Sequence, residues 1–210
     1  MSVWTFFVSH RSEIASATLD HLLLVGVSML IAILIAVPTG MLIVRHTRLR
    51  GLALGFASVM QTIPSLALFG FLIPIPFLGG IGPKTAIIAL VLYALLPILR
   101  NTFVGLTGID PAVLEAAEAM GMSESQVLWH VRLPLALSVI LAGIRTATVI
   151  TIGVATIAAA IGAGGLGVFI FRGVAMVSDA VILAGAIPAA AMALIADGAL
   201  GLLERRLRVN

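Results

Sequence analysis

The chain has 210 residues, 61% of them hydrophobic and 10% charged, with no cysteine and a formal net charge of +3. Mean hydropathy is +1.22 and the isoelectric point about 10.6. So few charges cannot cover a globule of this size with polar surface, which excludes a soluble enzyme, a disordered chain and a disulfide-stapled secreted domain. At about 20 apolar residues per crossing there is room for about five membrane spans and their connections.

The first 21 residues, MSVWTFFVSHRSEIASATLDH, lack the basic start of a secretory signal. Arg11, Glu13 and Asp20 precede the first long apolar run instead of flanking a cleavage site. Five apolar segments come next, at about residues 22–44, 52–78, 85–101, 134–160 and 180–203. They predict an all-α, polytopic membrane protein forming one domain over residues 1–210. The second segment contains Pro64. The third passes Pro97 and is short before it meets Arg100 and Asn101, so it needs tilt or a snorkelling arginine to cross.

Pro38, Pro64, Pro97 and Pro188 each remove a backbone donor. In a membrane such breaks survive only where neighbouring helices or a water-lined path satisfy the freed carbonyls. Small residues recur every four positions at Ala32, Ala36 and Gly40, at Ala155, Ala159 and Ala163, and at Gly185, Ala189 and Ala193. Each row predicts a smooth helix face, for packing within the chain or against a second copy.

The basic residues set an orientation, because cytoplasmic loops collect them. With five alternating spans, Arg45, Arg48, Arg50, Arg100, Arg132, Arg205, Arg206 and Arg208 fall on one side, and Arg11, Lys84 and Arg172 on the other. This predicts an outer N-terminus and a cytoplasmic C-terminus. The alkaline isoelectric point thus reports topology and gives no support to nucleic-acid binding.

The longest polar stretch, residues 108–134, reads GIDPAVLEAAEAMGMSESQVLWHVRLP. Asp110 and Pro111 read as N-cap and first helical residue. Gly121 can take the left-handed conformation that ends a helix. Ser123 and Gln126 form the sequence signature of a capping box that opens a second short helix, and Pro134 then begins the next span. Val113, Ala116, Ala117 and Met120 share one apolar face, flanked by Glu115 and Glu118. Such a helix pair has no core of its own and is marginal alone. The acidic flanks disfavour a membrane-interface helix, which prefers Lys and Arg, so a cytoplasmic protein partner is the expected docking surface.

Glu115-Ala116-Ala117, Gly121, Val131 and Leu133-Pro134 resemble the EAA loop of ABC-importer permeases, written EAA-x3-G-x9-I-x-LP, with Val131 in place of Ile. The resemblance implies a type I importer fold like that of the methionine permeases. It also implies that Glu115, Ala116, Ala117, Gly121, Leu133 and Pro134 couple to a cytoplasmic ATPase. Gln61-Thr62-Ile63-Pro64-Ser65, Tyr93 to Ile98 with Arg100-Asn101-Thr102, Ala142-Gly143-Ile144-Arg145 and Gly162 to Gly167 are similar to the osmoprotectant permeases, which import glycine betaine, choline and carnitine. This second resemblance implies a permease dimer, of two copies or paralogues, in a bacterial inner membrane. It would be served by ATPase subunits that hold ATP and magnesium and by an extracytoplasmic solute-binding protein. The alternatives are an amino-acid (methionine-type) or sulfonate permease, and, from another class, an ATP-independent channel or structural subunit.

Other motifs carry less. Gly162-Ala163-Gly164-Gly165-Leu166-Gly167 satisfies GxGxxG, yet a membrane helix precedes it and Asp179 and Asp197 are misplaced for a ribose contact. A tight turn on the outer side, leading into an apolar segment that dips back, is expected instead. No Walker motif is present, so this chain is not expected to hydrolyse ATP. His10, His21, His46 and His130 show no metal spacing, and no Ser/His/Asp arrangement sits in a plausible pocket, so neither metal nor catalysis is expected. Arg145, about 16 Å into its span, is paired or snorkels to the cytoplasmic interface, or else acts as a gate, and Asp197 in the last turns of its span takes the same interface reading. Gln61, Pro64 and Tyr93 are the remaining candidates for the solute pathway. Tyr93, Phe69 and Phe71 could face a quaternary ammonium group, although core packing explains them as well.

Overall fold

The protein is seen in a computed structural model that describes residues 3–207. Among the described residues there are helices and connections but no strand. A short helix α1 (Val3–Ser9) precedes α2 (Arg11–Arg45), α3 (Thr47–Thr62), α4 (Ser65–Leu72) and α5 (Pro83–Thr107). After these come α6 (Pro111–Ala119), α7 (Glu124–Val127), α8 (Leu133–Ile157), α9 (Gly167–Ala175) and α10 (Asp179–Arg206). Four helical rods are long and apolar enough to cross a membrane: α2, α5, α10 and the continuous stretch Glu124–Ile161. A fifth crossing exists only if α3 and α4, bent by 105° at their junction, count together.

The apolar segments and the helices differ where polarity and helicity part company. α2 begins at Arg11 and has 35 residues, about 52 Å at the usual rise, longer than the ~30 Å hydrocarbon core. Apolarity marks what lipid can cover, and nothing in residues 11–21 breaks a helix, so the helix starts well before residue 22. The segment at 52–78 is two helices: Pro64 pushes Ile63 into the extended conformation (φ −72°, ψ 126°), and the chain leaves helix after Leu72. α5 is 25 residues long and runs straight through Arg100 and Asn101, so the third span is not short.

Pro134 does not open the fourth span; it lies inside a continuous rod. One π turn, Leu128–Arg132, joins α7 to α8, with the Leu133 N–H donating to the Leu128 carbonyl. Pro134 has no N–H to bond four residues back and its ring crowds that carbonyl. The wider turn removes the conflict without breaking the rod. α10 matches the fifth segment closely, and Arg208 lies outside the described residues.

α5 is the central helix. Its Ala86, Ala89, Leu90, Ala94 and Ile98 are fully buried in a core built mainly with α2 and α8. The small-residue rows serve this internal packing. Ala32 and Ala36 are buried, and a Cβ on Gly40 would sit 2.5 Å from Thr102 of α5. A Cβ on Gly185 would meet the Leu166 carbonyl at 2.5 Å. A second cluster, Phe6, Ile14, Phe169, Ala180, Val181 and Ala184, ties α1, the head of α2 and α9 to the first half of α10. Leu23, Leu30 and Leu34 of α2 and Leu194 and Ile195 of α10 point outward with more than half their surface open, an apolar belt suited to hydrocarbon.

Candidate functional site

The loop between α5 and α8 folds as its residues dictate. The Asp110 carboxylate accepts from the Ala112 N–H at 2.9 Å, and Pro111 supplies the first helical residue of α6. At the other end Gly121 adopts φ +78°. There the Gly121 N–H donates to the Glu118 carbonyl (2.9 Å) and the Met122 N–H to the Ala117 carbonyl (3.2 Å), the pairing that closes a helix through a left-handed residue. Ser123 and Gln126 then complete a reciprocal capping box on α7.

The outward face of α6 differs in one residue from the expected one. Val113, Ala116 and Met120 are exposed with Glu115, while Ala117 is buried. Ala117 turns inward because Leu114 and Glu118, three residues before and one after it, line the cavity beneath the loop. That cavity, about 720 Å³, separates α6 and α7 from the ends of α2 and α5. Across it Arg45 reaches Glu124 at 3.4 Å, a pair with 46% and 84% of its side chains exposed, worth about 0–1 kcal/mol. The Arg132 guanidinium donates to the Leu106 carbonyl at 3.2 Å. These contacts put the C-terminal ends of α2 and α5 beside the loop, and Arg50 lies 5.4 Å over the Phe103 ring at the same end.

Gln61, Pro64 and Tyr93 come together, and they form a joint. Pro97 cannot donate to the Tyr93 carbonyl one turn back, and the Gln61 side-chain amide takes its place at 2.9 Å. Pro64 ends α3, and the Tyr93 hydroxyl donates to the Ile63 carbonyl at that break. Two prolines thus each free a carbonyl, and the two polar side chains satisfy them across the α3–α5 contact, as lipid would demand. Phe69 is fully buried in the core, whereas Phe71 is exposed.

Arg145 is elsewhere, and it is paired. Its Nε and Nη2 donate to both oxygens of Asp197 at 2.6 and 2.7 Å, and Nη1 approaches Glu204 at 3.4 Å. Asp197 is therefore the partner of Arg145 across the α8–α10 contact. Glu204 was not among the residues expected from sequence; its signal is the spacing of Asp197, Gly201 and Glu204 along one helix face.

At the opposite end the Gly82 N–H donates to the Ile161 carbonyl at 2.9 Å. Gly162, Gly164 and Gly165 all adopt positive φ. A Cβ on Gly167 would overlap the Thr156 carbonyl, so the glycine run is the tight turn its composition suggested. α9 comes next; its nine residues are too few to cross. His21 is fully buried and its Nε2 lies 3.1 Å from the Ile152 carbonyl. Among the described residues no group of His, Asp and Glu could hold a metal ion.

The sequence matches the family described as binding-protein-dependent transport system inner membrane component over residues 28–209. The carnitine transport permease protein OpuCB of Listeria monocytogenes is 46% identical over 206 residues, 98% of this chain and 93% of its own length. The glycine betaine/carnitine/choline transport system permease protein OpuCD of Bacillus subtilis (strain 168) is 47% identical over 204 residues, 97% and 88% of the two chains. The osmoprotectant import permease protein OsmW of Salmonella typhimurium is 44% identical over 194 residues, 91% and 90% of the two. In fold, the chain superposes on the inward-facing MetNI methionine ABC transporter with a TM-score of 0.83 at 23% identity, over 92% of this chain and 95% of that one. An amino acid ABC transporter with histidines gives 0.79 at 21%, over 98% and 99%. The fold is that of the type I importer permeases, and the chain belongs to the family of inner membrane components of binding-protein-dependent transport systems, as a permease subunit and not a catalytic one.

Proposed function

We propose that this chain forms the translocation path of an ATP-driven importer for quaternary-amine osmoprotectants such as glycine betaine, carnitine or choline. The observation that carries the reading is the loop helix α6, capped at both ends, bare on its Val113–Ala116–Met120 face and joined by the Gly121 turn to α7, which runs on into a membrane span. A free-standing helix of nine residues is marginal in water, so a partner surface is needed, and a cleft of a cytoplasmic ATPase suits it. Glu115, Ala116, Ala117, Gly121, Leu133 and Pro134 are the coupling residues in this reading, with Ala117 supporting α6 from within. The solute class rests on the names of relatives at 44–47% identity.

The chain acts as one unit, paired with a second permease, because so few crossings do not enclose a gated path alone. Its loop end is cytoplasmic, supported by the gathering of Arg45, Arg50 and Arg132 there. Binding of ATP by the partner subunits draws on α6 and tilts the spans from inward- to outward-open. A loaded binding protein docks at the opposite end, near Lys84 and the glycine turn. Differential contacts of the two states with these partners supply the free energy of switching. Gln61, Pro64 and Tyr93 brace the path. The test is uptake of labelled glycine betaine, choline, carnitine and methionine by cells whose own importers are deleted and which express the whole transporter. Uptake of methionine alone would overturn the solute class, and uptake without any ATPase would overturn the importer.

A further inference from the structure

Movement of the loop has to reach the rest of the bundle. Packing is a poor route, because α6 and α7 stand off from α2 and α5 across the 720 Å³ cavity. Covalent continuity is the better one: Glu124–Ile161 is a single rod, so a pull on the loop moves α8 as a body. α2 and α5 share the main core with α8 and follow it. α10 is different. It packs against α8 as well, but its first half is anchored in the second cluster, and its second half gives the main core just the partly buried Met192, Ala193 and Ala196. Beyond Ala196, among the described residues, the polar side-chain links from α10 to other helices are all made by Arg145.

The geometry of that link suits a rigid connection. Arg145 grips Asp197 with two parallel hydrogen bonds, which fixes orientation as well as distance. Gly201 lies between Asp197 and Glu204, and a Cβ there would sit 3.1 Å from the guanidinium carbon, so the glycine leaves the seat that the arginine fills. The three side chains are 35%, 40% and 29% exposed, and charges open to hydrocarbon are costly, so this side faces water or protein. Apolar helix faces can slide, but slippage here would leave three charges unpaired.

We infer that the Arg145–Asp197–Glu204 cluster is the joint that carries movement of the α7–α8 rod into the cytoplasmic half of α10, with Arg145 a positioning residue for transport and not a solute ligand. The inference rests on the coupling role proposed for the loop. The experiment uses the complete transporter in proteoliposomes, measuring ATP hydrolysis and uptake of labelled carnitine and glycine betaine in the same sample. In Arg145→Gln, hydrolysis continues and solute moved per ATP falls at least tenfold; the exchange Arg145→Asp with Asp197→Arg restores half or more of it. If Arg145→Gln does not assemble, Asp197→Asn, which keeps Glu204 as partner, carries the same test.

The chain has no cysteine, so spin labels report the movement directly. Label pairs at Met120→Cys with Leu34→Cys, and at Leu203→Cys with Leu34→Cys, both keep their distance on ATP binding in the otherwise unaltered protein, because α2, α8 and α10 move together. With Arg145→Gln the second pair alone shifts, because α10 no longer follows. Wild-type uptake per ATP, equal loss of uptake and hydrolysis, or an unshifted second pair in Arg145→Gln would each overturn the joint. Normal uptake by Gly121→Pro would instead overturn the coupling role of the loop.

Discussion

Gly121 and Tyr93 show how single residues carry the architecture. At φ +78° any residue with a Cβ is strained, so Gly121→Ala should cost about 1–2 kcal/mol locally and lower uptake partially. Gly121→Pro is harsher: its ring cannot reach that φ, and it removes the N–H that bonds Glu118. The expected result is abolished uptake with normal membrane insertion, read by transport and by quantitative blotting of membranes. Tyr93→Phe removes the donor to the Ile63 carbonyl at the α3–α4 break. The half-buried carbonyl then loses its partner, at a cost of about 1 kcal/mol, so a thermal-shift measurement on purified protein should show a lowered midpoint. An unchanged midpoint would mean that water replaces the hydroxyl and that the joint is not structural.

Between elements, the contact of α5 with α8 depends on near-touching backbones. A Cβ on Gly143 would fall 2.6 Å from Asn101 Cβ and 2.7 Å from the Pro97 carbonyl, and the latter is backbone that cannot swing away. Gly143→Ala should therefore destabilise by about 1–3 kcal/mol. Gly153, farther along the same helix, has nothing within 4 Å of an added methyl, so Gly153→Ala should leave the midpoint unchanged or raise it. Equal effects of the two would sink the packing account. The same helix shows a proline accommodated rather than obeyed: the π turn at Leu128–Arg132 lets one rod run from the loop into the membrane.

For the molecule as a whole, the two ends differ in charge and in exposure. Arg45, Arg50 and Arg132 gather at the loop end, while the other end shows exposed Phe77, Ile81 and Val177. Single cysteines placed in this cysteine-free chain test the orientation. Met176→Cys should react with a membrane-impermeant maleimide in intact spheroplasts, and Ser125→Cys only after permeabilisation; the reverse pattern would invert the topology. The outward Leu23, Leu30, Leu34, Leu194 and Ile195 mark faces left for lipid or a second permease.

Composition and periodicity by themselves determined a great deal. Membrane residence, the number of apolar segments, the arginine asymmetry and every cap of the loop helices depend on residues near one another in the chain, since hydropathy, proline and helix caps act locally. Motif spacing marked the loop, again because its residues lie within one short stretch. What needed tertiary structure were the partnerships between distant residues. That Asp197 and Glu204 receive Arg145, and that Gln61 and Tyr93 satisfy the carbonyls freed by Pro97 and Pro64, cannot be read from either partner alone. Pairing depends on which helix faces meet, and side-chain periodicity sets the face of each helix but not its neighbour. The same limit explains Ala117, apolar on a face expected to dock outward yet buried, because only the packed loop decides which edge of that face turns inside.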